Sequence, residues 1–120
     1  MDWTSIHAYM FCETPTQWEA AQQLCAIYGY ELVTVDDGTE NTWIDKRIDT
    51  LGGKWWAGYN DIGDEGNWSW ASGSTSSWTN WASGQPNNWF DQHCLALNVK
   101  GNAQWADEDC DTSYRFVCES

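Results

Sequence analysis

Apolar and polar positions along the chain follow one period in the first half and another in the second. His7-Ala8-Tyr9-Met10-Phe11 reads as an opening strand. Thr14-Pro15-Thr16 then predicts a helix start, with proline near the first helical position and Glu19 three residues after Thr16 as a capping box. Trp18, Ala21, Cys25 and Tyr28 fall on one helical face, and Gly29 supplies the stop. Leu32-Val33-Thr34-Val35 predicts a short strand. A second helix is expected over roughly 39–51, burying Trp43, Ile44, Ile48 and Leu51 and ending at Gly52-Gly53. Beyond Lys54 the helical period disappears. Trp55-Trp56-Ala57-Gly58-Tyr59 and Trp68-Ser69-Trp70 read as strands, and the segments 94–99, 104–107 and 115–118 close a sheet. The class is mixed α+β.

Between Ala71 and Asp91 the chain is Ser, Gly, Asn and Trp with little regular pattern. A loop this long is either functional or disordered. Trp78, Trp81, Trp89, Phe90 and nearby Trp70 argue against disorder. No repeat or linker interrupts the 120 residues, a length that fits one domain over 1–120 with a single core. The 11 tryptophans are too many for all to be fully buried, so a few are expected on a binding face.

The net charge of -13 argues against nucleic acid or an anionic membrane as partner, because phosphate contacts need clustered cations. Only Lys46, Arg47, Lys54, Lys100 and Arg115 are basic. Five cysteines in a small domain favour an oxidising, extracellular setting. No apolar run approaches the ~20 residues of a membrane span. Met1-Asp2-Trp3-Thr4 lacks the basic start and apolar stretch of a secretory signal, which reads as a mature secreted form carrying an initiator Met.

Little speaks for an enzyme. His7 and His93 lack a Cys or His at metal spacing, and no nucleophile–base arrangement is visible. Glu108, Asp109 and Asp111, around Cys110, read as solvated loop acids rather than a glycosidase pair. Asn67-Trp68-Ser69 is a glycosylation sequon at the start of a predicted strand.

The chemistry concentrates in Gln85-Pro86-Asn87-Asn88-Trp89, followed by Cys94 and by Trp105-Ala106-Asp107. Two amides around a proline and a carboxylate on a nearby segment suggest a shallow cup of oxygens. Such a cup suits Ca²⁺, which takes roughly 6–8 oxygen ligands. The face of Trp89 beside it suits the apolar side of a sugar ring.

These residues resemble the C-type lectin-like domain over essentially the whole chain. The resemblance rests on Trp18-Glu19-Ala20-Ala21 with Cys25, Leu32-Val33-Thr34-Val35, Trp56-Ala57-Gly58, Glu65-Gly66-Asn67-Trp68-Ser69-Trp70 and Asn80-Trp81. Gln85-Pro86-Asn87, Cys94, Trp105-Ala106-Asp107, Cys110 and Phe116-Val117-Cys118 complete it. It implies a double-loop fold, with two helices flanking a twisted antiparallel sheet and a long binding loop. It also implies disulfides Cys25–Cys118 and Cys94–Cys110, the first stabilising by roughly 3–5 kcal/mol in the chain-entropy model. Cys12 then has no partner, leaving an intermolecular bridge to a second copy or a buried free thiol.

By the same resemblance, Gln85, Asn87 and Asp107 bind one Ca²⁺ and the sugar. The family's intermediate acid falls on Gln92, with Asp91 one residue back as its substitute, and Ala106 replaces an Asn ligand. Fewer carboxylates imply weak binding, toward ~10⁻⁴–10⁻³ M. A second cation set would use Asp61, Glu65, Asn88 and the position of His93; with histidine there, Asp61, Asp64 and Glu65 read instead as a solvated turn. Gln-Pro-Asn is a hybrid of the family's mannose and galactose triplets. Trp89 turns the expectation toward galactose or GalNAc, with mannose, fucose and GlcNAc as the alternatives. The function implied is a secreted, Ca²⁺-assisted lectin. The alternative is a Ca²⁺-independent or non-sugar interaction protein on the same fold, binding mineral, ice or protein.

Overall fold

The structure is a computed structural model that describes residues 8–64, 66–86, 92–98 and 104–120. Among these, two helices and seven strands form one mixed, open sheet. The elements are β1 (Tyr9–Thr16), α1 (Trp18–Ile27), β2 (Glu31–Leu32), α2 (Gly38–Leu51), β3 (Trp55–Asn60), β4 (Ser69–Trp70), β5 (Gln92–Leu97), β6 (Ala106–Asp109) and β7 (Tyr114–Glu119). The main path runs β1-β7-β3-β5-β6, with β2 on β7 and β4 on β3. The expected antiparallel sheet is corrected at one place: β3 and β7 run parallel, Trp55 opposite Arg115.

Strand β3 shows why the sheet is covered twice. Its side chains alternate between faces, yet Trp55 through Tyr59 are all buried. Trp55, Ala57 and Tyr59 join a core with Ile44 and Ile48 of α2, Leu95, Trp105 and Val117. Trp56 points the other way, into a core with Trp18, Ala21 and Cys25 of α1, Ala96 and Phe116. Each helix therefore covers one face. Gly58 lies where another strand passes closely: a Cβ there would meet the Leu32 carbonyl at 3.0 Å.

Both implied disulfides are formed. Cys25–Cys118 ties α1 to β7 and Cys94–Cys110 ties β5 to the turn after β6, with Cα separations of 5.6 and 5.3 Å. Cys12 is a free, half-buried thiol on β1, opposite Phe116. Burial pushes its pKa up. It lines an apolar groove of about 290 Å³ with Met10, Leu24, Tyr28 and Phe116.

Several local expectations are corrected. Thr16 does not cap α1: β1 continues to Thr16, paired with Tyr114, and Gln17 takes the cap position without a side-chain bond. The Trp18 N–H instead donates to the Cys110 carbonyl at 3.0 Å, so a distant loop does the work of a cap. Tyr28, Trp43 and Leu51 are exposed rather than buried. The expectation that only some of the tryptophans are core holds among the described residues. Trp18, Trp55, Trp56, Trp70 and Trp105 are buried. Their indole N–H groups each find an acceptor, as Trp18 does on the Ala57 carbonyl at 2.8 Å. A satisfied N–H removes the usual penalty for burying indole.

Candidate functional site

The loop after β4 returns to the sheet through the main chain of Trp105. Trp105 N–H donates to the Asn80 carbonyl at 3.0 Å, and Ala82 N–H to the Trp105 carbonyl at 2.7 Å. This parallel bridge, Trp81 with Trp105, fixes the loop beside the start of β6. A turn closed by Gln85 N–H on the Ala82 carbonyl at 2.9 Å then presents Gln85. The Gln85–Pro86 peptide is cis. Trp81 itself packs against Tyr59, Trp68 and Trp105. The loop aromatics thus secure the loop from below.

The result brings two expected site residues together across a separation of 22 positions. Gln85 Oε1 accepts from the Asp107 N–H at 3.3 Å. Asp107 is 1% exposed, opposite Leu95 in the β5–β6 register. Asn87, Trp89 and Asp91, the other expected ligands, lie outside the described residues. Ala106 is buried opposite Ala96 and carries no side-chain ligand atom.

Gln92 is the residue that sequence reasoning passed over in favour of Asp91. It opens β5, and its Oε1 is buried with no hydrogen-bond partner. A buried carbonyl oxygen without a donor is rare and needs a reason. Its position two residues before Cys94 was the available signal. Among the described residues no group of three or more His, Cys, Asp or Glu gathers as a metal site. The side chains of the described candidates Gln85, Gln92 and Asp107 carry amide oxygens and one carboxylate, a chemistry that fits a hard cation and not a soft one.

The expected solvated turn is corrected at Asp61. This carboxylate is 1% exposed, held by the Gly66 N–H at 2.9 Å and by His93 Nδ1 at 3.0 Å. Asp64 is exposed, as expected, and accepts from Asn67 Nδ2 at 2.6 Å.

Two helices on an open mixed sheet, two disulfides at these positions and a long loop pinned beside β6 define a C-type lectin-like fold. Residues 14–120 match the model of the Lectin C-type domain, and the chain belongs to that family. It is 32% identical over 124 residues to Lectin BRA-3 of Megabalanus rosa, covering 99% of this chain and 75% of that one. Longer relatives are matched over 8% of their length. Among solved structures, the carbohydrate-recognition domain of the mouse scavenger receptor C-type lectin superposes with a TM-score of 0.85 at 34% identity, over 95% of this chain and 87% of that one. The herring type II antifreeze protein superposes at 0.89 with 21% identity, over 95% and 90%, a likeness of fold alone.

Proposed function

We propose that this domain is a secreted, Ca²⁺-assisted lectin that recognises terminal galactose or GalNAc and is not an enzyme. The observation that carries the reading is the hydrogen bond from the Asp107 main-chain N–H to Gln85 Oε1, which brings two of the expected ligand residues side by side at the end of the long loop. Gln85, Asn87, Asp91 and Asp107 would hold the cation, with the unpartnered Gln92 Oε1 as a further oxygen. A bound Ca²⁺ supplies open positions for two neighbouring sugar hydroxyls. The chain's own part is to orient that sugar. The amide NH₂ groups of Gln85 and Asn87 donate to its hydroxyls, and Trp89 offers a flat face to the apolar side of galactose.

Calorimetric titration of the EDTA-stripped domain with galactose, with and without Ca²⁺, tests this. Heat only in the presence of Ca²⁺ supports it, and equal heat in both conditions moves recognition to Trp89 and direct hydrogen bonds. Gln92→Glu is expected to raise Ca²⁺ affinity about tenfold by adding a charge to a weakly charged site. An unchanged affinity would put Gln92 outside the coordination sphere.

A second reading, a non-sugar interaction protein binding mineral, ice or protein, draws on Ala106, buried and without a side-chain ligand atom. Adsorption to mineral that survives loss of Asp107 would favour it. For Cys12, a half-buried position and a raised pKa favour the free thiol over a bridge between two copies, since thiolate is the reactive form. Non-reducing electrophoresis is expected to show a monomer band. A dimer band lost on reduction would establish the bridge.

A further inference from the structure

Asp61 follows β3 directly, and its side chain has no exposed surface. A carboxylate in such a place is stable only with charge-assisted or hydrogen-bonding partners. The structure supplies them from two sides. Gly66 N–H reaches Oδ2 at 2.9 Å. His93 Nδ1 reaches Oδ1 at 3.0 Å, and the Asp61 N–H returns a bond to the His93 carbonyl at 3.0 Å. The pair is thus reciprocal: side chain to side chain and main chain to main chain.

His93 is the second residue of β5, two positions after Asp91 in the sequence. Against a carboxylate oxygen, Nδ1 must carry the hydrogen. A donor N–H in that position offers nothing to a hard cation, which requires oxygen lone pairs. The Asp61 oxygens, in turn, already have their donors. Two of the four positions that the family resemblance assigns to a second cation are therefore committed to each other.

We propose that His93 takes the place of a cation here. It satisfies Asp61 and ties the end of β3 to β5 without metal, so the domain accepts no second Ca²⁺. This concerns a position distinct from the Gln85–Asp107 site and goes beyond the reading given for it.

The test is a count of bound Ca²⁺ by calorimetry, with melting curves in EDTA and in Ca²⁺, on the full chain and its His93→Asp, His93→Asn and Asp107→Asn variants. The wild type is expected to bind one ion, lost in Asp107→Asn. The His93→Asp chain should melt lower in EDTA, bind one ion more than the wild type, and recover roughly 5 °C in Ca²⁺ at about ten times its Kd. His93→Asn offers an amide oxygen without a second buried carboxylate, and gives the same comparison if His93→Asp does not fold. Two ions on the wild type would overturn the proposal. So would a folded His93 variant that binds no more Ca²⁺ than the wild type. Failure of the Gln85–Asp107 reading has a different signature: no ion on the wild type, yet one gained on replacing His93.

Discussion

Replacing Asp107 by asparagine is expected to abolish Ca²⁺-dependent galactose binding while leaving the domain folded. Only two of the four expected ligands, Asp91 and Asp107, are charged. Removing one of them takes away a large share of the field that draws a divalent ion into an otherwise neutral cup. A loss of about 100-fold in Ca²⁺ affinity, or ~2.7 kcal/mol, is expected. From a starting affinity of ~10⁻⁴–10⁻³ M, this places the variant beyond practical saturation. Stability should change little. Asn matches Asp in shape, an amide costs less to bury than a carboxylate, and the Asp107 N–H that bonds Gln85 belongs to the main chain. Calorimetry in Ca²⁺ and a melting curve in EDTA separate the two effects. Retained Ca²⁺-dependent binding would show that the cation is held elsewhere.

How far the site was legible follows from which interactions are local. The fold was readable because its signals are periodic or paired: the two helices, the tryptophan-rich strand β3 and the cysteines all lie in recognisable order. The pairing of Gln85 with Asp107 followed from the family resemblance, and it depends on the main-chain bridge of Trp81 with Trp105, which no side-chain pattern announces. The errors arose where a distant partner overrode a local preference. Thr16 had the spacing of a cap, but its strand was claimed by β7. The inner face of α2 was read as Trp43, Ile44, Ile48 and Leu51, whereas Asn41 takes the buried place because its Oδ1 accepts the Trp105 indole at 2.9 Å. Asp61 looked like a solvated turn residue because its neighbours are Gly, Asp and Asn. Its burial comes from His93, 32 positions away.

Trp105→Ala is expected to be the most destabilising single substitution considered for this domain, and to remove sugar binding along with the fold's stability. The side chain is fully buried. It sits edge-on to Trp70, Trp78 and Trp81 with centroids 5.6–6.0 Å away, and to Tyr59 at 6.2 Å. Truncating a buried tryptophan costs about 3–5 kcal/mol. Withdrawing its N–H from the buried Asn41 Oδ1 adds a further ~1–3 kcal/mol. Together these approach the whole stability of a typical domain, about 5–15 kcal/mol. The binding loop is affected as well, because Trp78 and Trp81 lose the ring they pack on and the Trp105 main chain loses the side chain that fixes it. Trp105→Phe separates the two contributions: it retains most of the ring contact but not the indole donor, and should lose roughly 1–3 kcal/mol while keeping Ca²⁺-dependent binding. Urea unfolding with parallel galactose titrations gives both readings. If Trp105→Ala lost less than about 1 kcal/mol, the aromatic cluster would not be what holds the loop, and the Gln85–Asp107 contact would have to owe its position to the β5–β6 pairing and the Cys94–Cys110 bridge instead.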